Sequence, residues 1–269
     1  MSIGTNSRPG EYQLGLDTDL TRTQLTHLEA LLDAKTCSVL DTVGVRPGHR
    51  CLDLGAGSGT ITRALADRAG AAEVVAVDLD TRHLRAVPPP VRVLEHDIND
   101  GVRGGPYDLI HARLVLMHLA RRAEILHELA AALAPGGWLV IGEYVGPQRH
   151  VVRSPTSQDE ALFHRVQHIA HGMASAAGVS YTWAFEVAGH MSAAGLTGVH
   201  ATDDRHTAEG GSDACRLSWN YLQQLRPRLL EAGLTPDELE RYHALMLDPR
   251  FCAWFYPFIC SRGQKPPAP

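Results

Sequence analysis

Between residues 20 and 43, Leu25, Leu28, Leu32, Val39 and Leu40 recur at helical spacing, which predicts an N-terminal helical cap over residues 1–45. The pattern then changes. Cys51–Leu54 is apolar apart from Asp53 and does not alternate, as expected of a parallel strand covered on both faces. Glu73–Asp78, Val91–Glu95 and Tyr107–His111 read as further strands, with a helix over Ile61–Ala69 after the first. Leu133–Ile141 reads as a helix end stopped by Pro135 and Gly136, followed by a fifth strand. Beyond about Tyr144, the linker Val145-Gly146-Pro147-Gln148 with Ser154-Pro155 precedes a helix over Gln158–Ala177. A sixth strand over Thr197–His206 ends at Gly210-Gly211-Ser212, and helices follow over Asp213–Leu230 and Pro236–Met246. A seventh strand is expected over Phe255–Arg262. Proline cannot donate to a ladder, so this strand either starts after Pro257 or is bulged there.

The candidate chemistry starts where the first strand ends. Gly55, Gly57 and Gly59 form G-x-G-x-G, a tight turn that lets a ligand approach the backbone. A dinucleotide fold needs its third glycine at position 60, where this chain has Thr60, so a nicotinamide dehydrogenase is disfavoured. Asp78 closes the second strand about 20 residues beyond the glycines, the distance at which an acid accepts from ribose hydroxyls. The third strand runs into His96-Asp97-Ile98, and the fourth into Ala112-Arg113-Leu114-Val115-Leu116-Met117-His118.

Taken in order over residues 50–143, these stretches resemble the class I S-adenosylmethionine-dependent methyltransferases of small-molecule type. The resemblance implies an α/β fold, a doubly wound Rossmann-like seven-stranded sheet, mostly parallel with the last strand antiparallel, carrying helical lid insertions. It divides the chain into the cap, a cofactor-binding core over 46–150, a lid over 151–195 and C-terminal strands with inserted helices over 196–269. It implies S-adenosylmethionine as cofactor, held by Tyr12, Asp53, Gly55, Ala56, Gly57, Asp78, Leu79, Asp97, Ile98 and Arg113. Asp97 would accept from the adenine amino group and Ile98 would pack on the ring. Arg113 replaces the Asn or Asp with Pro-Pro of base-modifying relatives, which disfavours nucleobase and protein-glutamine acceptors.

Methyl transfer to oxygen or carbon needs a proton removed, so a base is expected on the acceptor side. The resemblance points to His118 as that base and to Glu143 as its partner across the cleft or as an alternative base. His164, His168 and His171 fall on one face of the predicted helix, opposite Leu162, Val166, Ile169 and Met173. A metal site, a pocket wall and a solvated face all fit that spacing. No Glu follows His164 as a zincin requires, and no metal is assigned.

The net charge of −5 argues against a nucleic-acid footprint. No apolar run approaches the roughly 20 residues that span a bilayer, and the first ten residues lack a secretory pattern, so a cytoplasmic protein with no membrane partner is expected. The five cysteines are scattered without C-x-x-C spacing, so neither disulfides nor a zinc ribbon is indicated. Of the 16 aromatic residues, 12 follow residue 145, among them Tyr181, Trp183, Phe185, Trp219, Tyr221, Trp254 and Phe255. They either line a pocket for a planar or greasy acceptor or form the core beneath the lid.

The reading is a methyltransferase acting on a small molecule, at oxygen first and nitrogen or carbon next, in secondary metabolism by resemblance. The rivals are a cofactor-binding enzyme of cyclisation or rearrangement chemistry and a non-catalytic binding protein on the same fold. The terminal helices offer a surface for a homodimer.

Overall fold

Every third or fourth residue of α1 (Asp19–Val43) faces inward, from Leu28 and Leu32 to Val39, Leu40 and Val43, so this long helix lies along the molecule by one stripe. The structure is a computed structural model and describes residues 19–70, 72–84, 87, 89–146 and 150–269. Tyr12 lies outside the described residues.

The core runs through β1 (Cys51–Leu54), α2 (Thr60–Ala69), β2 (Val74–Asp78), β3 (Val91–Glu95), β4 (Tyr107–Arg113), α3 (Arg122–Ala131) and β5 (Leu133–Tyr144). All four residues of β1 are buried, as its unbroken apolar pattern requires. The insertion after β5 holds β6 (Val151–Arg153), α4 (Ser157–Ala176) and α5 (Trp183–Ala193), and the chain closes with β7 (Thr197–Glu209), α6 (Asp213–Glu231), α7 (Pro236–Leu247) and β8 (Cys252–Gln264). Capping fixes the later helices: Thr156 caps α4, and Thr235 with Glu238 forms a capping box on α7 with Pro236 in its first turn.

Among the described residues the sheet has eight strands, one more than the expected seven, in the order β3-β2-β1-β4-β5-β8-β6 with β7 also pairing β8. The first five run parallel, and β8 runs antiparallel to β5 and β7. The additional strand is β6, whose Val151 and Arg153 pair Ala253 and Cys252; three residues are too few to leave a period in the sequence. Helix α5 was also not foreseen. Its start has no side-chain cap bond to signal it, although Ala184, Val187 and Met191 are buried at helical spacing.

Two breaks in register bear on the expected elements, the first correcting a helix end and the second deciding between two alternatives. Helix α3 ends at Ala131, and Pro135-Gly136 lie inside β5, in a bulge between the pairs Tyr107–Leu133 and Leu109–Trp138. Strand β8 is bulged at Pro257: Asp204 pairs Phe258 and His206 pairs Phe255, one residue more on β8, and Tyr256 takes φ 43°. No helix among the described residues is long and apolar enough to cross a membrane.

The helical cap closes over the carboxyl ends of the strands. Helix α6 is tied to α1 by Asn220 Nδ2 donating to Leu20 O at 3.0 Å and by Gln224 Nε2 donating to Gln24 Oε1 at 2.8 Å. It is tied to α4 by Gln167 Nε2 donating to the Ser218 hydroxyl at 3.1 Å.

Candidate active site

The carboxyl ends of β1, β2 and β4, with α1, α4 and α6 above them, enclose a cavity of about 600 Å³. Crevices at that edge of an open α/β sheet are where such folds bind ligands.

At one end lies the glycine loop. The amides of Gly55 and Ala56 donate to Val77 O at 2.8 and 3.1 Å, and the amide of Gly59 donates to Ala56 O at 2.8 Å. Gly55 has φ 69°, and a Cβ there would lie 2.2 Å from Val115 Cγ2; only glycine leaves this floor open. Asp78 Oδ2 accepts from Gly57 N at 2.8 Å and its Oδ1 from Asp80 N at 3.1 Å. Burial raises the Asp78 pKa while these amides oppose the rise. Leu79 beside it is exposed. Asp97 caps a short turn over Ile98–Asp100 by accepting from Asn99 N at 2.8 Å, and Ile98 is buried against the cavity.

At the other side stands the turn after β4. Arg113 reaches away from it, to Asp33 at 2.8 Å and Thr36 Oγ1 at 3.2 Å, and so pins α1 to the sheet. Leu114 has φ 56° and donates its amide to Gly142 O at 2.8 Å. The turn over Leu116–His118 is held from below by Met117 N donating to Glu143 Oε1 at 3.2 Å and from the lid by Ser180 N donating to Met117 O at 2.9 Å. His118 lines the cavity. Burial, helped by the positive charge of Arg122, pushes its pKa down to about 4, so its ring is neutral near pH 7.

Gly55, Ala56, Gly57, Asp78, Leu79, Asp97, Ile98, Arg113 and His118 therefore meet at one cavity. Asp53 and Glu143 stand behind its wall. Asp53 is buried and accepts from Thr62 Oγ1 at 2.5 Å and from His111 Nδ1 at 2.8 Å, so it supports the loop from beneath. Glu143 does not face the cleft: it is fully buried under the His118 turn, and burial pushes its pKa up to about 8. Its Oε2 has no hydrogen-bond partner among the described residues.

The three histidines of α4 divide. His171 lines the cavity, with its ring 4.9 Å from that of Tyr181, whereas His164 and His168 are exposed. No group among the described residues is arranged to hold a metal ion. The aromatic residues divide as well. Tyr181 and Tyr221 line the cavity, Trp183 and Phe255 belong to the core, Phe185 and Trp254 are exposed, and Trp219 stacks on His243.

The sequence reading missed Tyr144 and Tyr256, which line the cavity, and His83, whose buried Nε2 lacks a partner among the described residues. Pro257 was the available signal for Tyr256. Nothing in the sequence singled out His83. The open glycine floor, the strand-end Asp78 with its amide partners and the orphaned His83 nitrogen fit a nucleoside with a polar tail better than an apolar ligand.

Comparison with known proteins agrees with this geometry. Residues 27–201 match the Methyltransferase domain family. Over 106 residues the chain is 34% identical to Methyltransferase str2 of Strobilurus tenacellus, covering 39% of this chain and 38% of that protein. Over 93 residues it is 38% identical to trans-aconitate 2-methyltransferase of an Azoarcus species, covering 34% of this chain and 37% of that enzyme. The chain thus matches little more than a third of the length of these curated relatives. Its fold is similar to that of phosphoethanolamine N-methyltransferase 2 of Haemonchus contortus, solved with phosphomonomethylethanolamine and S-adenosylhomocysteine, with a TM-score of 0.54 at 16% identity over 92% of this chain and 59% of that one.

Proposed function

The chain belongs to the class I S-adenosylmethionine-dependent methyltransferase family, and from that premise we propose that it methylates a small-molecule acceptor at oxygen, in secondary metabolism. The observation that carries the reading is that the glycine loop and His118 line the same cavity. When bound, S-adenosylmethionine supplies an activated methyl group on a positively charged sulfur.

The chain's own residues orient, exclude water and take a proton. The Gly55–Gly57 floor and Asp78 would hold the nucleoside, with Asp97 and Ile98 at the base. Holding the reactants in line supplies most of the acceleration, on the order of 7 kcal/mol or more. His118 would accept the acceptor hydroxyl's proton at an imidazole nitrogen, leaving that oxygen as the nucleophile toward the methyl group that the cofactor would supply. A ring that is neutral near pH 7 is in the form this role needs. Helices α1, α4 and α6 supply part of the cavity wall and so would limit the water around a bound acceptor, which would strengthen the polar contacts made there.

Incubation with S-adenosylmethionine and a panel of hydroxylated small molecules tests the reading. S-adenosylhomocysteine should form with methylated product in equal amounts. Product without S-adenosylhomocysteine would favour rearrangement chemistry, with the cofactor acting only as a fixed positive charge.

A further inference from the structure

Among the described residues, two that are not glycine have clearly positive φ, Leu114 at 56° and Tyr256 at 43°, and both line the cavity. Backbone strain of this kind persists where the surroundings impose it, and it gathers at ligand sites. At Tyr256 the imposed feature is the β8 bulge before Pro257. Its ring stacks on Tyr144 with centroids 4.9 Å apart and planes at 29°, and meets Tyr221 edge-on at 6.3 Å and 68°. Three tyrosines from β8, β5 and α6 thus form one aromatic wall of the cavity. His171 and Tyr181, 4.9 Å apart, add a second aromatic pair from the lid.

Charge on the cavity wall is one-sided. Each of its carboxylates is engaged near the glycine loop. Glu29 accepts from the Ser58 hydroxyl, Asp78 accepts from Gly57 N, Asp80 pairs with Arg82, and Asp97 caps its own turn. The aromatic half carries no carboxylate among the described residues; its ionisable side chains include His118, His171 and Arg228, which lies about two turns beyond Tyr221 on α6. A cationic amine would meet no carboxylate of the described residues in this half, and a buried charge without such a partner is costly. A phenolic hydroxyl would not carry that cost, and its ring would gain the faces and edges of the tyrosines.

We propose that the methyl acceptor is a planar aromatic molecule bearing a hydroxyl group, a phenol or naphthol, held by the Tyr144–Tyr256–Tyr221 wall and the His171–Tyr181 pair. This deepens the methyltransferase reading and rests on it.

The test is calorimetric titration of the protein saturated with S-adenosylhomocysteine, using three probes of one outline: 2-naphthol, saturated decahydro-2-naphthol and the cationic 2-(aminomethyl)naphthalene. The phenol should bind at least about tenfold more tightly than either of the others, the scale of an aromatic contact with its buried area. Tyr256→Leu and Tyr181→Leu should each weaken 2-naphthol by about tenfold while S-adenosylhomocysteine affinity, which reports the intact fold, holds. Where Tyr256→Leu fails to fold, Tyr181→Leu decides. Equal or tighter binding of the amine or the saturated alcohol, no binding of 2-naphthol, or unaltered 2-naphthol affinity in the folded variants would overturn the acceptor class and leave the methyltransferase reading standing. Failure of S-adenosylhomocysteine to bind would strike the underlying reading instead.

Discussion

The carboxyl of Glu143 accepts a hydrogen bond from the backbone amide of Met117 at 3.2 Å, tying the buried end of β5 to the turn that carries His118. This contact makes Glu143 a support for that turn, and its burial gives it a pH signature. Its pKa lies at about 8 in the folded chain against 4.5 when solvated. Between those values the folded state keeps a proton that the unfolded state has released, so stability is full below the lower one and falls as pH rises towards the upper one. Glu143→Gln keeps the shape and the acceptor but cannot titrate. The wild type should therefore lose about 1 kcal/mol or more relative to the variant between pH 5 and 8, read from urea midpoints. Parallel profiles would show that Glu143 is already ionised in the folded protein.

His118→Gln should lower turnover by about 10²- to 10⁴-fold while S-adenosylhomocysteine affinity changes little, because a base acts in the chemical step and not in cofactor binding. With the imidazole pKa pushed down to about 4, the base form persists well into acid. The wild-type pH–rate profile should then show no acid limb near 6.5. Such a limb would show that the imidazole keeps its ordinary basicity in the working enzyme, and undiminished turnover in the variant would remove His118 from the role.

Gly55→Ala should both destabilise the protein, by about 2 kcal/mol or more, and weaken S-adenosylhomocysteine binding, because the new methyl meets Val115 at a backbone φ of 69°. Gly136→Ala is the control: its φ is 82°, but nothing lies within 4 Å of the new Cβ. It should cost about 1 kcal/mol and leave cofactor affinity alone. Melting curves and titration of both variants separate strain from obstruction.

Thr62→Val should destabilise the protein by about 1–3 kcal/mol, since it strips one partner from the buried Asp53 carboxylate and leaves His111 as its side-chain partner among the described residues. Urea unfolding of this variant beside Thr62→Ser, which keeps the hydroxyl, reads the loss. Equal stability would mean that water replaces the threonine.

The meeting of the glycine loop with Asp78 was legible because it depends on local spacing. Three alternate glycines and an acid about 20 residues on must meet when β1 and β2 are parallel neighbours, and here Gly57 N donates to Asp78. What lies in the cavity and what lies behind it was not legible at the strands. Helices cover both faces of such a sheet, so the alternation that marks inside from outside is absent, and Asp53 and Glu143 gave no sign that they face away. The aromatic wall depends on contacts between β5, β8 and α6, which no local pattern encodes. Only Pro257 hinted at the bulge that sets Tyr256.

Calorimetric titration of the purified protein with S-adenosylhomocysteine and, separately, with NADH tests the central claim most directly. The glycine floor with Asp78 and Asp97 predicts micromolar binding of S-adenosylhomocysteine, weakened by Asp78→Ala, and no binding of NADH. Binding of NADH alone, or of neither, would contradict the assignment of the cavity and the function built on it.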